Sequence, residues 1–199
     1  MTRPLAALAT FALVVAGMWV TGGLITDDFV GSAILTTIFF GVTGIAVLLL
    51  LRRHHPLRWW VAAGYILAAG GVGGYVFYTS QHSVTVNEQL ATGQTLASGT
   101  FTSGEHHTEG TAKIVKTADG RRILTLSGFT TSPGPDVRVR LVPGKSNDGG
   151  ADGNHDLGGL KGDKGNQEYT LPDDAPDSAV SVVIWCRAFS AEFGSAYLT

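Results

Sequence analysis

Hydrophobic residues are concentrated in the first 80 residues of the chain, where they form three long stretches without charge. These cover residues 5–25, 33–51 and 59–78, and each is close to the ~20 residues that a helix needs to cross a bilayer. None contains Asp, Glu, Lys, Arg or His, so none has the groups that proton relays, ion paths or intramembrane haem sites use. The pattern predicts a multi-pass membrane anchor of three α-helices, with the lipid bilayer as a partner.

The rest of the chain alternates between apolar and polar residues in the manner of β-strands. Residues 81–98 show no strong period and are interpreted as a linker. Further along, short β-branched runs are separated by turn formers such as Asp119-Gly120, a favoured hairpin turn, and no stretch has a clear helical period. We therefore predict a mixed chain in which an all-β antiparallel sandwich occupies residues 99–199. The predicted strands are 112–116, 122–126, 137–142, 167–171, 179–186 and 192–198.

Charged residues orient the predicted anchor. Arg3 precedes the first stretch and three arginines lie in the connection at residues 52–58, whereas the other connection contains Asp27 and Asp28. Because Lys and Arg are retained on the cytoplasmic side of a membrane, we expect a cytoplasmic N-terminus and an extracytoplasmic β domain. Residues 81–199 carry ten Lys/Arg and fourteen Asp/Glu, a net charge of −4, with no basic run. This composition argues against nucleic-acid binding, which relies on basic residues against phosphate.

Cys186 is the only cysteine of the chain. Strand alternation places it on one face with Val180, Val182 and Ile184, and Arg187 on the other. Both faces are largely apolar, so we expect a central strand with Cys186 pointing into the core or toward a cleft at its end. Two interpretations stay open: a packed core thiol, or a redox centre that works with a partner or cofactor because no second cysteine can pair with it. In a core site, Cys186→Ser should cost about 1–3 kcal/mol if the hydroxyl is unpaired, and Cys186→Ala less.

Two histidines supply candidate cofactor ligands. His106 and His107 lie in a loop between predicted strands. Together with His155 and Cys186 they would suit copper, zinc or haem iron, and the alternative is a solvated polar turn. Non-covalent haem or a metal is therefore compatible with the sequence. Covalent c-type haem is not, because the chain lacks Cys-x-x-Cys-His.

An oxygen-rich segment supplies a candidate metal site. Asp152, Asn154 and Asp156 begin like a calcium-binding loop. However, Leu157 stands where the sharp turn requires glycine, and Asp163 stands where a bidentate glutamate is expected. A Gly/Asn/Asp-rich turn is the favoured interpretation, with calcium as the alternative.

Six short motifs follow one another along the predicted β domain. They are Gly99-Thr100-Phe101 with Gly110 and Ala112, Leu124-x-Leu126-x-x-Phe129, Gly134-Pro135-Asp136-Val137, Asp156-Leu157-Gly158-x-Leu160-Lys161-Gly162, Trp185-Cys186-x-x-Phe189 and Phe193-Gly194-x-Ala196. In this order they resemble the electron-transfer DM-thirteen domain family, including its Knickkopf-type members and those of many bacterial membrane or secreted proteins. The resemblance implies an extracytoplasmic β-rich domain with a redox role centred on Cys186, and with it a redox partner protein in or at the membrane.

Two functional hypotheses follow from these observations. In the first, the chain is a membrane-anchored redox module in which Cys186 is the active group and His106 or His107 a ligand. In the second, it is a non-catalytic binding or scaffold module at the cell surface with Cys186 in its core. Neither hypothesis decides whether the protein is an enzyme.

Overall fold

The computed structural model describes residues 2–26, 29–53 and 55–199, and for Phe29 only the backbone. Asp27 and Asp28 of the first predicted connection, and His54 of the second, lie outside the described residues. The chain divides into two compact units, Met1–Tyr78 and Thr79–Thr199.

Three helices form the first unit, as the apolar stretches predict. α1 spans Arg3–Gly23, α2 spans Phe29–Arg52 and α3 spans Arg58–Gln81. All three are long and apolar enough to cross a membrane. At most ends the helices extend beyond the apolar stretches into the flanking residues.

Glycines allow these helices to approach one another closely. A Cβ added at Gly64 of α3 would lie 2.3 Å from the carbonyl oxygen of Ala7 in α1. The ring of Phe39 in α2 occupies the space beside Gly17 of α1, where an added Cβ would lie 2.2 Å from Cζ. Small residues at such contacts are typical of helix packing in membranes, where close backbone approach replaces the hydrophobic driving force.

Ten strands form two five-stranded sheets in residues 79–199, all of which the structure describes. The first sheet has the order β1-β8-β5-β4-β2 and the second the order β3-β10-β9-β6-β7. The strands are β1 Thr85–Asn87, β2 Gln94–Thr100, β3 Thr102–Ser103, β4 Glu109–Lys116, β5 Arg122–Thr130, β6 Val137–Pro143, β7 His155–Gly159, β8 Lys164–Thr170, β9 Val180–Cys186 and β10 Ala191–Leu198. The predicted β-sandwich and the β4–β5 hairpin around Asp119-Gly120 are confirmed.

The structure differs from the sequence-based expectation at the sheet edges. β1 and most of β2 lie within residues 81–98, which we expected to form a linker, and β3 and β7 were not predicted. β1 also pairs with β8 in parallel, whereas all other pairs are antiparallel as expected. These four strands lie at sheet edges and are half-exposed or exposed, so backbone pairing holds them without the apolar alternation that reveals a central strand.

The core lies between the two sheets, and β9 is its most completely buried strand. This strand is buried along its whole length and lies between β10 and β6, which confirms the predicted central position. Phe101 and Phe129 meet edge to face in the core, with 5.2 Å between ring centroids. Aromatic and β-branched side chains from both inner faces therefore fill one continuous interior.

The segment after α3 is part of the β domain. The buried Asp163 carboxylate accepts hydrogen bonds from Ser83 Oγ at 2.6 Å and from the Val84 amide. Lys161 Nζ lies 2.8 Å from Glu88 Oε1. These contacts hold β1 along the edge of β8, so residues 83–88 are fixed by side chains as well as by the parallel ladder.

Candidate functional site

Cys186 is the last residue of β9 and faces the interior of the sandwich. It pairs with Val137 on β6 and with Ala191 on β10. Its side chain is 1% exposed and belongs to the same core cluster as Val182 and Ile184, so the predicted alternation is confirmed. The thiol is free. It therefore lies at the end of the core, next to the segments that cover the end of β9.

Two segments meet at this end of the sandwich, the loop of residues 131–136 and the turn of residues 187–190. The backbone N–H of Arg187 donates to the Asp136 carbonyl at 3.0 Å, and Arg187 Nε lies 2.7 Å from Asp136 Oδ2. The loop lies close to the core at Gly134, where an added Cβ would lie 3.1 Å from Phe193 Cζ. Ser190 adopts φ 47°, a strained left-handed conformation for a residue with a side chain.

Burial is the dominant influence on the thiol. It raises the pKa of Cys186 because an apolar surrounding disfavours the thiolate, and the Asp136 carboxylate raises it further. Backbone groups of Asp136, Phe189 and Ala188 oppose this rise without cancelling it. The Phe189 N–H donates to the Cys186 carbonyl at 3.3 Å, so the turn of residues 187–190 folds back on the end of β9. The site is thus a shielded thiol at the junction of two segments.

His106 lies at the same end of the second sheet as Cys186. Its ring centroid is 3.9 Å from that of Phe193, which belongs to the same core cluster as Cys186. Burial lowers the pKa of His106, and the nearby Glu105 carboxylate opposes this effect. Thr108 Oγ1 fixes the loop by donating to the Phe193 carbonyl at 2.9 Å. A neutral, half-buried imidazole is the form of histidine that ligates metals.

His107, the neighbouring residue, has a different environment. Its side chain is 74% exposed and Nε2 lies 3.7 Å from Glu109 Oε2. An exposed imidazole beside an exposed carboxylate contributes little to structure. The two adjacent histidines are therefore not equivalent, and only His106 contacts the core.

His155 lies away from this end of the sandwich. It pairs with Leu141 on β6, four residues from Val137, the partner of Cys186, which corresponds to about 13 Å along a strand. Its Nδ1 is 3.9 Å from Asp174 Oδ1. Among the residues that the structure describes, no group of three or more His, Cys, Asp or Glu side chains could hold a metal ion. The structure therefore does not bring the candidate ligands His106, His107, His155 and Cys186 together as one group.

In the candidate calcium loop, the carboxylate of Asp156 is held in an ion pair. Asp156 Oδ2 accepts from Arg138 Nε at 2.6 Å, and the Asn154 amide donates to the Ala151 carbonyl at 2.6 Å. Asp152 is exposed in the turn before β7. The Arg138 ion pair accounts for the Asp156 carboxylate, and the calcium site stays a prediction.

Sequence reasoning did not single out the side chains and amides that surround Cys186. Asp136 and Phe193 were noted as parts of motifs, without a link to the surroundings of the thiol. The sequence placed Arg187 on the face of the strand opposite Cys186. In the structure Arg187 forms an ion pair with Asp136, which lies beside the thiol. The Gly-Pro-Asp turn followed by a strand was the available signal.

Comparisons with known proteins give one result. The family model for the electron transfer DM13 domain matches residues 100–198, which include β3 to β10 and every residue of the site described above. No curated protein and no solved structure matches the chain.

Proposed function

Because this chain belongs to the electron transfer DM13 family through its residues 100–198, we propose that it is a membrane-anchored redox protein whose active group is the Cys186 sulfur. The observation that carries the proposal is the position of Cys186 at the end of β9, where the segments 131–136 and 187–190 meet and are joined by the ion pair between Arg187 and Asp136. Thiol chemistry needs access, and displacement of these two segments would open the end of the strand at which the sulfur lies.

The proposed centre is covered in the resting state. A thiol reacts as the thiolate and needs access, but Cys186 is 1% exposed and its pKa is raised. Access of a partner therefore requires displacement of residues 131–136 or 187–190. The ion pair between Arg187 and Asp136, which joins these two segments, is the contact that such a displacement would break.

His106 is the side chain best placed to share a cofactor with Cys186. It stacks on Phe193 at the same end of the sheet, and imidazole with thiolate suits copper, zinc or haem iron. In this proposal His106 would provide the nitrogen ligand and Cys186 the sulfur ligand. The bound group would supply the one-electron chemistry, and His107 would have no part in holding it.

A second function, a binding or scaffold module at the cell surface, is favoured by the burial of Cys186 and by its raised pKa. Both are expected of a thiol that packs as a small apolar group. The two functions differ in two measurable properties of the native protein, the reactivity of the thiol and the visible absorption spectrum.

The experiment uses the full-length chain purified in detergent, with a visible absorption spectrum, metal analysis and titration of the thiol before and after denaturation. A Soret or charge-transfer band that is lost in Cys186→Ala supports the redox function, and so does rapid labelling of the native thiol. A colourless, metal-free protein whose thiol reacts only in denaturant supports the scaffold.

Matched variants test the role of His106. His106→Phe removes the nitrogen but keeps an aromatic ring against Phe193, and His107→Phe makes the same change at the exposed neighbour. If His106 is a ligand, any visible band is lost or shifted in the first variant and unchanged in the second. Equal spectra in the two variants would exclude His106 as a ligand.

The proposed location of the β domain is extracytoplasmic, in a multi-pass protein of the cell membrane. Three helices apolar enough to span a membrane support the membrane part, and the arginines at residues 52–58 support the orientation. Alkaline phosphatase fused after Thr199 should be active in cells, and a fluorescent protein that folds only in the cytoplasm should be dark. The opposite pair of results would place the domain inside.

A further inference from the structure

The connection between α2 and α3 carries a concentration of positive charge. Residues 52–58, here called the basic connection, contain three arginines and no acidic residue, and no Asp or Glu occurs anywhere from residue 29 to residue 87. Arg52 is the last residue of α2 and Arg58 is the first residue of α3. The charge therefore lies at the adjoining ends of two helices that are apolar enough to span a membrane.

The fold brings the arginines of the basic connection together. Arg58 Nη1 donates to the carbonyl oxygens of Arg53 at 3.2 Å and Leu51 at 3.4 Å, so its guanidinium lies against the end of α2. Arg52 and Arg53 are exposed there. Because guanidinium groups remain charged at all physiological pH values, the described part of the connection presents cationic side chains with no acidic partner.

A recess lies beside these arginines. It has a volume of about 300 Å³ and is lined by His55, Pro56, Arg58 and Trp59. The Arg58 guanidinium carbon is 5.4 Å from the centre of the Trp59 ring, and Trp59 is 66% exposed. Exposed tryptophans at the end of an apolar helix are typical of the level of lipid headgroups, so the recess opens where headgroups lie.

We propose that the basic connection binds the phosphate of an anionic phospholipid, with Arg58 and the recess holding the headgroup and Arg52 and Arg53 completing the charge. Guanidinium groups bind phosphate oxygens in a bidentate manner. The inference rests on insertion of α2 and α3 into a membrane, which places a lipid leaflet at this site, and it does not depend on the redox function.

The test measures lipid binding to the full-length chain in detergent micelles by native mass spectrometry, with phosphatidylglycerol or phosphatidylcholine added in titration. In a detergent micelle the measurement does not depend on which side of the membrane the basic connection faces in the cell. Each basic residue near an anionic surface contributes roughly fivefold, so three predict a preference for phosphatidylglycerol on the order of 100-fold. This preference should be lost in the variant Arg52→Gln/Arg53→Gln/Arg58→Gln. The control variant Lys113→Gln/Lys116→Gln/Lys145→Gln removes the same charge from exposed positions of the β domain and should keep the preference.

Two further arms keep the result interpretable. Arg52→Gln/Arg53→Gln leaves the Arg58 contacts to α2 intact and should lose about 25-fold in preference. Inorganic phosphate added to the phosphatidylglycerol titration should not displace the bound lipid. Equal lipid preference in the arginine and lysine variants would overturn the proposal, and so would inorganic phosphate that displaces phosphatidylglycerol, because the ligand would then be a soluble anion.

Discussion

Arg187, the residue after Cys186, forms an ion pair with Asp136, and 2.7 Å separates Arg187 Nε from Asp136 Oδ2. The backbone N–H of Arg187 also donates to the Asp136 carbonyl at 3.0 Å. The Arg187 side chain is 53% exposed, so the ion pair contributes only about 0.2–1 kcal/mol to the stability of the fold. Its importance is local, because it holds the loop of residues 131–136 over the end of the strand that carries the thiol.

Asp136→Asn should make Cys186 more reactive in the folded protein. The change keeps the shape of the side chain but removes the carboxylate charge that raises the pKa of the thiol, and it weakens the contact to Arg187. The rate of thiol labelling under native conditions should increase, and its dependence on pH should move to lower pH. Asp119→Asn, which breaks the exposed pair with Arg121, is the control. Identical rates in the two variants would show that the ion pair does not limit access.

Cys186→Ser should destabilise the domain more than Cys186→Ala, the order expected from the sequence for a core thiol. Cys186 is buried in the hydrophobic core cluster, so an unpaired serine hydroxyl there should cost about 1–3 kcal/mol. Chemical unfolding of both variants measures the order. An alanine variant less stable than the serine variant would show that the hydroxyl finds a partner at this site.

Gly165→Ala should release β1 from the edge of β8. Gly165 has φ +99° and an added Cβ would lie 2.0 Å from the Val86 carbonyl oxygen. Gly158→Ala is the matched control, because Gly158 has φ +114° with nothing within 4 Å of an added Cβ. The control should cost about 1–2 kcal/mol from its backbone conformation alone, and Gly165→Ala several kcal/mol. Limited proteolysis between residues 82 and 93 should be faster only in Gly165→Ala, and equal cleavage of both would refute the role of this contact.

The stability of the domain should decrease as pH falls below about 6.5, in part through His106. Burial lowers the pKa of His106 from its ordinary value of 6.5, so the unfolded chain binds a proton there before the folded chain does. Its contribution is therefore present above pH 6.5 and is lost as pH falls toward the folded pKa.

His106→Phe keeps the ring against Phe193 and removes the titration, so the decrease in melting temperature between ~pH 7.5 and ~pH 5.5 should become smaller. His107→Phe should leave the decrease unchanged, because that ring is exposed. If the two variants show the same pH dependence as the unchanged chain, His106 does not contribute to it.

Local patterns were sufficient for the elements that are largely apolar along their whole length. The three helices follow from charge-free stretches of bilayer length, and β9 follows from a run that is apolar on both faces. The alternation from Val180 to Cys186 places the thiol in the core because successive strand residues point to opposite faces. The motif order between residues 99 and 198 was enough to identify the family.

The surroundings of Cys186 depended on tertiary structure. Asp136 precedes Cys186 by fifty residues, and only the pairing of β6 with β9 brings Val137 opposite Cys186 and so places Asp136 beside Arg187. Likewise, His106 and His155 look equally suitable in the sequence, but the β3–β10 and β6–β7 pairings place them in different parts of the second sheet. The edge strands β1 and β7 escaped detection for a related reason, since backbone hydrogen bonds to a neighbour define them and their own side chains carry no period. Periodicity reports which way a side chain faces, whereas its partners are set by which distant strands pair.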